Sequence, residues 1–410
     1  MRPDPWRQVL AVLCTAAIGG APAHAANADE PAAPPADTPS DTHIGGVAET
    51  RALWLAPGGE PRGRVQQAGL RLMLEHTPPS DHTVVLHAQG QWMHSSDRAS
   101  LQRLSGATPS LDRARSLAWR RDGERQQRSA TVDWLYVHGP WQHGRYSLGR
   151  QPINASLGRL WSPVDLFAPF HPDDLERLYK PGVDAAQLQW FINERVRSTT
   201  IASAARSPEP GRSLRWQWQQ RLELEVPWGK AFALAGARHE QKLLGGGAQF
   251  NGLAGHDVYA EMLWHRGPQA DPAIGDRRSG VRTLLGATRK LADDTQGTLE
   301  WLHQSRGISD PSRYGAYTLR AAALDLPYIG AGRHYLGASV SARPHPLWGL
   351  DALLLGNLSD RSASLTLALE HTPQPNLKLR ASVAAPVAGR SATEYRRQGR
   401  ALHIGAQWFF

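Results

Sequence analysis

The 410-residue sequence is almost without cysteine. Its only cysteine, Cys14, lies in the N-terminal apolar segment, so the rest of the chain can form no disulfide, thiolate metal site or covalent haem. Beyond that segment no stretch approaches the roughly 18 apolar residues of a membrane helix. Lysine is also scarce, with 5 Lys against 41 Arg. These absences exclude a disulfide scaffold and a helical membrane protein.

The N-terminus predicts export from the cytoplasm. Arg2 and Arg7 precede the apolar stretch Val9 to Ile18, and Ala23-His24-Ala25 fits a cleavage site after Ala25. We therefore predict a signal peptide over residues 1–25. Residues 26–43 are rich in Ala, Pro, Asp and Thr, which predicts a disordered periplasmic leader.

Beyond His43 the dominant pattern is a period of two, in segments of about ten residues. Leu70, Leu72 and Leu74 alternate with Arg71, Met73 and Glu75. Such a consistently polar second face suits a wide barrel lumen better than the dry core of a sandwich. The pattern predicts an all-β protein: a single transmembrane antiparallel β-barrel over residues 44–410.

The connections fall into two length classes, as expected for the two ends of an outer-membrane barrel. Tight turns are predicted at TPPSD, GPWQHG, RPHPLWG and HTPQPN, and long loops at residues 95–129, 153–181, 306–332 and 387–400. We predict about 16 strands, with 14 to 18 open. The turn after Val226 falls on the side of the long loops, so one crossing between Arg197 and His265 is misassigned in this count.

The C-terminus ends in an alternating strand with an aromatic last residue. Leu402, Ile404, Ala406, Trp408 and Phe410 share one face. This resembles the terminal-Phe signal that the barrel assembly machinery reads in outer-membrane proteins. We therefore predict that Trp408 and Phe410 form an assembly signal, and that the protein lies in the cell outer membrane in contact with its lipid.

One segment, residues 149–185, carries a family resemblance. It resembles a motif of alginate-export-type and related porin-like outer-membrane proteins, although Ala155-Ser156 stands where those families have Trp-Gly. The resemblance implies an outer-membrane channel and does not imply alginate as its solute. The matching residues are Gly149, Arg150, Gln151, Ile153, Trp161, Pro163, Asp165, Phe167, Pro169, Lys180, Pro181, Gly182, Val183 and Asp184.

The loop in this segment is too long and too aromatic to lie exposed, so we predict that it folds into the lumen and carries a short helix over residues 172–178. Its charged residues would then form a pore constriction that contacts the solute. Alternatively, they pair with wall residues and hold the loop in place. The predicted constriction residues are Arg150, Asp165, Asp173, Asp174, Glu176, Arg177, Lys180 and Asp184.

Further charges fall on the predicted inward face of the strands. They either line the lumen as a field that orients solutes, or satisfy one another across neighbouring strands. These lumen-wall residues are Arg71, Glu75, Asp133, Glu261, Arg282, Glu300, Glu370 and Arg380.

The sequence bears on four classes of function. An enzyme is disfavoured, since no G-x-S-x-G or H-E-x-x-H motif occurs, and we predict neither a metal site nor a cofactor. Nucleic-acid binding is disfavoured, since the arginines are scattered. We predict a channel, porin or exporter, for small polar or anionic solutes, with saccharides as candidates. A structural barrel that sheathes a periplasmic or surface partner is the alternative. The sequence does not define the oligomeric state.

Overall fold

The computed structural model describes most of the chain after the N-terminal region. The described residues are 40–59, 62–106, 113–114, 116–172, 178–206, 214–238, 241–267, 279–315, 317 and 327–410. The predicted signal peptide and residues 26–39 of the predicted leader lie outside them. The first strand begins at Asp41, so the last three residues of the predicted leader belong to the barrel.

Nineteen strands form one antiparallel sheet in the described part of the chain. The first ten are β1 (Asp41–Ala56), β2 (Gly63–Thr77), β3 (Thr83–Ser95), β4 (Ala118–Asp122), β5 (Gln126–Trp141), β6 (Gly144–Gln151), β7 (Val183–Phe191), β8 (Val196–Arg206), β9 (Leu214–Val226) and β10 (Gly229–Arg238). The others are β11 (Gln241–Leu253), β12 (His256–Arg266), β13 (Ser279–Ala292), β14 (Thr295–Gln304), β15 (His334–His345), β16 (Trp348–Asn357), β17 (Ser362–Gln374), β18 (Leu377–Ala388) and β19 (Arg400–Phe409).

The sheet closes on itself because β1 pairs with both β2 and β19. The five-residue β4 is an extra strand rather than a crossing of the wall. One edge of β5 pairs with β3, and the other pairs with β4 over residues 127–131 and with β6 over residues 135–141. The wall therefore has 18 strands. This confirms the predicted barrel, with a strand number at the upper limit of the predicted range rather than the expected 16.

The undercount arises between Arg197 and His265, where the structure has parts of five strands. Only two residues separate β10 from β11, and β11 contains Gly245, Gly246 and Gly247. Consecutive glycines have no side chains to show alternation, and so they weaken a strand pattern in sequence.

The two faces of the wall differ in chemistry, as the alternation predicts. Large apolar side chains are exposed on the outer face, while the inner face carries buried polar and charged side chains. An aromatic girdle lies at the end of the barrel that carries the tight turns. It is formed by Trp141, Trp190, Trp228 and Trp348, which lie at or next to these turns. Examples of the exposed apolar side chains are Leu148, Leu244, Leu299, Leu354 and Ile404.

The predicted turns and long loops are confirmed, except that the predicted loop 95–129 contains β4 and the first residues of β5. Short connections follow β2, β5, β15 and β17, and long ones follow β3, β6, β14 and β18. Helical segments lie in the long connections: α1 (Arg98–Gly106), a 3-10 helix (Pro311–Arg313) and α2 (Glu394–Gln398). Within the described residues, every helix is too short or too polar to span a membrane.

Candidate functional site: a loop folded into the lumen

The described residues of the loop between β6 and β7, 152–172 and 178–182, pack inside the lumen. The flanking strands are short, with 8 residues in β6 and 9 in β7. Where the loop leaves these strands, Arg150 and Asp184 form a bidentate ion pair, with Nε–Oδ1 at 2.6 Å and Nη2–Oδ2 at 3.0 Å. Arg150 Nη1 also donates to the carbonyl oxygen of Val132 at 2.9 Å.

The apolar residues of this loop pack against an apolar patch on the inner wall. Trp161, Val164, Leu166 and Phe167 are at most 1 % exposed. Gly337 of β15 allows the loop side chains to approach the wall closely, because a Cβ at this position would lie 2.6 Å from Leu160 and 2.7 Å from Trp161. The predicted inward fold is therefore observed for the described part of the loop. The wall partners include Ile201, Phe232, Leu234, Tyr259, Leu263, Leu284, Leu302, Tyr335 and Leu355.

Two wall carboxylates fasten the loop backbone. Glu300 accepts from the backbone N–H groups of Arg159 at 2.5 Å, Leu160 at 3.1 Å and Trp161 at 3.0 Å. Tyr259 Oη donates to the same carboxylate at 2.6 Å. Glu261 accepts from Ser156 Oγ at 2.6 Å and from the backbone N–H of Leu157. These hydrogen bonds to charged acceptors compensate the burial of both carboxylates.

Three buried cationic side chains also hold the loop by donating hydrogen bonds to its oxygen atoms. Arg221 donates to the carbonyl oxygen of Ala155, and Arg238 donates to that of Leu166. Within the loop, Lys180 Nζ pairs with Asp165 Oδ2 and donates to the carbonyl oxygen of Ile153. Lys180 and Asp165 are 5 % and 4 % exposed, so both face protein rather than the open lumen.

A second charged cluster centres on Asp133. Arg71 Nη2 and Arg113 Nη2 donate to its two oxygens at 2.8 and 2.5 Å, and Arg71 also lies 4.4 Å from the centre of the Tyr179 ring. Asp133 is itself the extra residue of a β-bulge in β5, because His87 of β3 pairs with Trp134 and the next residue, Ala88, pairs with Val132. The adjacent Trp134 stacks on His87 with ring centres 4.0 Å apart. The sequence pattern does not show such a bulge.

Inward charges on β1 and on β16 to β18 keep partial exposure. Arg380 lies 3.7 Å from both Glu370 and Asp351, and Lys378 lies 3.3 Å from Glu370. On β1, Arg51 pairs with Glu49 at 2.6 Å. Their side chains are 12 to 32 % exposed, against 2 % for Arg150. We call Glu49, Arg51, Asp351, Glu370, Lys378 and Arg380 the open-wall charges.

The predicted site residues therefore fall into four groups. Arg150, Asp165, Lys180 and Asp184 are paired at the loop, while Asp173, Asp174, Glu176, Arg177 and the core of the predicted helix lie outside the described residues. Arg71, Asp133, Glu261 and Glu300 hold the loop region, and Arg282 donates to Pro327 O at 2.8 Å. Glu75, Glu370 and Arg380 retain exposure on the inner face.

The sequence analysis missed several residues of this site. Arg113, Arg221 and Arg238 contact the loop region but were not among the predicted residues. Four of the open-wall charges were also missed, although the alternation of β1 places Arg51 on the inner face. No group of three or more His, Cys, Asp or Glu side chains able to hold a metal occurs in the part of the chain that the structure describes.

Comparison with known proteins shows that this chain is similar in fold to solved outer-membrane barrels. No protein-family model and no curated protein matches the sequence. Among solved structures, the outer membrane protein OprD from Pseudomonas aeruginosa is similar, with 11 % identity and a TM-score of 0.54, covering 91 % of this chain and 94 % of that chain. Acinetobacter baumannii OccAB1 has 10 % identity and a TM-score of 0.53, over 90 % and 96 % of the two chains. Pseudomonas aeruginosa OccK5 has 9 % identity and a TM-score of 0.51, over 90 % and 98 %. At these identities the chain shares with them a porin-like barrel fold.

Proposed function

We propose that this chain is a diffusion channel of the cell outer membrane for small polar or anionic solutes, saccharides included as candidates. One observation carries the proposal: the loop is fastened to the inner wall, while inward charges on β1 and on β16 to β18 remain partly exposed. A barrel of 16 to 18 strands is wide enough for an aqueous path. Charges along such a path select solutes by sign and orient polar ones.

We assign the proposed solute contacts to the open-wall charges rather than to the charged residues of the loop. Arg150, Asp165 and Lys180 are almost fully buried in ion pairs, which supports their role as loop anchors. The side chains of Arg51 and Arg380 are 23 % and 20 % exposed on the inner face, where an anionic or hydroxyl-rich solute can accept hydrogen bonds from them. No catalysis is proposed. The finer resemblance to alginate-export-type proteins stays a prediction.

Single-channel recording tests the proposal. The purified barrel in a planar bilayer should conduct, and saccharides or organic anions should block it. Arg380→Gln should shift its ion selectivity away from anions, whereas Arg289→Gln, at an exposed position on the outer face of β13, should not. A folded barrel that never conducts would overturn the channel and favour a sheath for a partner protein.

A further inference from the structure

The outer face of the barrel contains an apolar groove of about 720 Å³. Its floor is formed by small residues of neighbouring strands, including Ala52, Ala68, Ala381 and Ala406, and Trp92 stands at one end. These alanines share the outward face of their strands with exposed residues such as Trp54 and Ile404. The groove therefore opens toward the membrane rather than toward the lumen.

Two arginines lie directly opposite one another next to the Trp92 end. Arg121 of β4 faces Arg128 of β5, and Arg128 in turn faces Trp92 of β3. Both arginines are exposed on the outer face. Like charges in directly opposed cross-strand positions destabilise a sheet. Within the described residues neither guanidinium has a carboxylate partner, so the two side chains present a local positive charge that an anion can neutralise.

The height of the arginine pair identifies where that anion must lie. Arg128 is thirteen residues from Trp141, which ends β5 at the periplasmic turn. At about 3.3 Å per residue and a strand tilt of about 40°, this places Arg128 about 33 Å above the turn. The apolar band of such barrels is about 25 Å tall. The pair is therefore level with the lipid headgroups of the outer leaflet, while the groove lies beside the acyl chains.

We propose that this surface binds one phosphorylated lipid of the outer leaflet. Its phosphate would lie between Arg121 and Arg128, whose forked donors match phosphate oxygens, and an acyl chain would occupy the groove. The exposed Trp119, two residues before Arg121 on the same face, would contact the headgroup region, as interfacial aromatic residues do. The inference rests on the proposed location in the outer membrane, not on conduction.

Native mass spectrometry of the refolded full chain in an uncharged detergent tests the inference, with diphosphorylated lipid A as the probe. We expect one lipid to be retained, and retention to fall by about tenfold or more for the dephosphorylated form and for the double variant Arg121→Gln/Arg128→Gln. Ala406→Trp, which fills the groove without changing charge, should also lower retention. Arg289→Gln provides an arginine control at the other end of the outer face.

Equal retention of the phosphorylated and dephosphorylated lipids by the unsubstituted protein would overturn the inference without any variant having to fold. Retention unchanged in the double arginine variant would overturn it as well. Conductance of the same samples separates this result from the proposed function. Channels that conduct without selective lipid retention would contradict only the lipid site, and silent barrels that retain the lipid would contradict only the channel.

Discussion

Gly46 and Phe410 join the two ends of the barrel wall by exchanging two backbone hydrogen bonds. Gly46 N donates to Phe410 O at 2.8 Å, and Phe410 N donates to Gly46 O at 3.1 Å. A Cβ at position 46 would come within 2.7 Å of the Phe410 ring and of the carbonyl oxygen of Arg71. Gly46 thus leaves the space in which the last residue completes the pairing of β19 with β1.

Deleting Phe410 should impair assembly of the barrel, because it removes both hydrogen bonds and the terminal aromatic residue. Gly46→Ala should have the same effect, since its Cβ meets backbone that cannot easily move. Heat-modifiable mobility on gels measures the folded fraction. Gly356→Ala, a strand glycine whose nearest neighbour would be 3.6 Å from a new Cβ, is the control. Normal folded levels after deletion of Phe410 would refute the role of the C-terminus.

Breaking the Asp165–Lys180 pair from one side should destabilise the loop more than removing both charges. Lys180→Met leaves a buried carboxylate without its cation, which costs about 3–5 kcal/mol in comparable pairs. Asp165→Asn/Lys180→Met should recover part of that loss. Protease cleavage within residues 152–182 of the folded barrel reports loop release. Equal cleavage of the single and double variants would show that the pair is not coupled.

Glu300→Gln should loosen the loop without unfolding the wall. The amide loses the charge that three successive backbone N–H groups share, and it directs its own donors toward them. Conductance should rise toward that of a variant lacking residues 165–179, for which we expect a several-fold increase. Glu370→Gln, an open-wall substitution, should instead change ion selectivity. Unchanged conductance in the deletion variant would show that the loop does not obstruct the path.

The docking of α2 should weaken as the pH rises. Glu394 accepts from Tyr335 Oη and Asn357 Nδ2, both at 2.7 Å, and withdrawal from water raises the pKa of its carboxyl above the ordinary value. A raised pKa in the docked state means that docking is strongest below the ordinary pKa of about 4.3 and is lost as the pH passes the raised value.

A spin label tests this pH dependence, because a chain starting at Ala26 has no cysteine other than one introduced at Arg397→Cys. The label should gain mobility as the pH rises above the ordinary pKa range of a glutamic acid. In a Glu394→Gln background the mobility should not depend on pH. The opposite trend, with release in acid, would contradict the assignment to Glu394.

The sequence predicted the features that depend on local pattern. Alternation such as Leu70, Leu72 and Leu74 fixes which side of a strand faces lipid, and runs rich in Pro, Gly and Asn mark the turns. It gave 16 strands rather than 18, and the three glycines of β11 weaken the alternation within the region where one crossing was misassigned. The interior fold of the loop was also predicted, since its aromatic residues needed an apolar surface.

Partner choice was not predictable, because it depends on contacts between residues far apart in the chain. Asp133 was expected to line the lumen. The structure shows it between Arg71 and Arg113, as the extra residue of a β-bulge in β5. Glu300 was likewise assigned to the lumen wall, and only the path of the loop shows that it holds the backbone of residues 159–161.

The fastening of the loop also constrains the order in which the protein can fold. The carboxylates that hold it, Glu261 and Glu300, follow the loop by about 105 and 140 residues. Pairing of β5, β6 and β7 therefore provides only the anchors at the base of the loop, such as Arg150–Asp184, and the two carboxylates require β12 and β14 as well. Contacts between residues so far apart in sequence form late in folding. The seam between Gly46 and Phe410 joins the two ends of the chain, so it belongs to the same class of distant contacts.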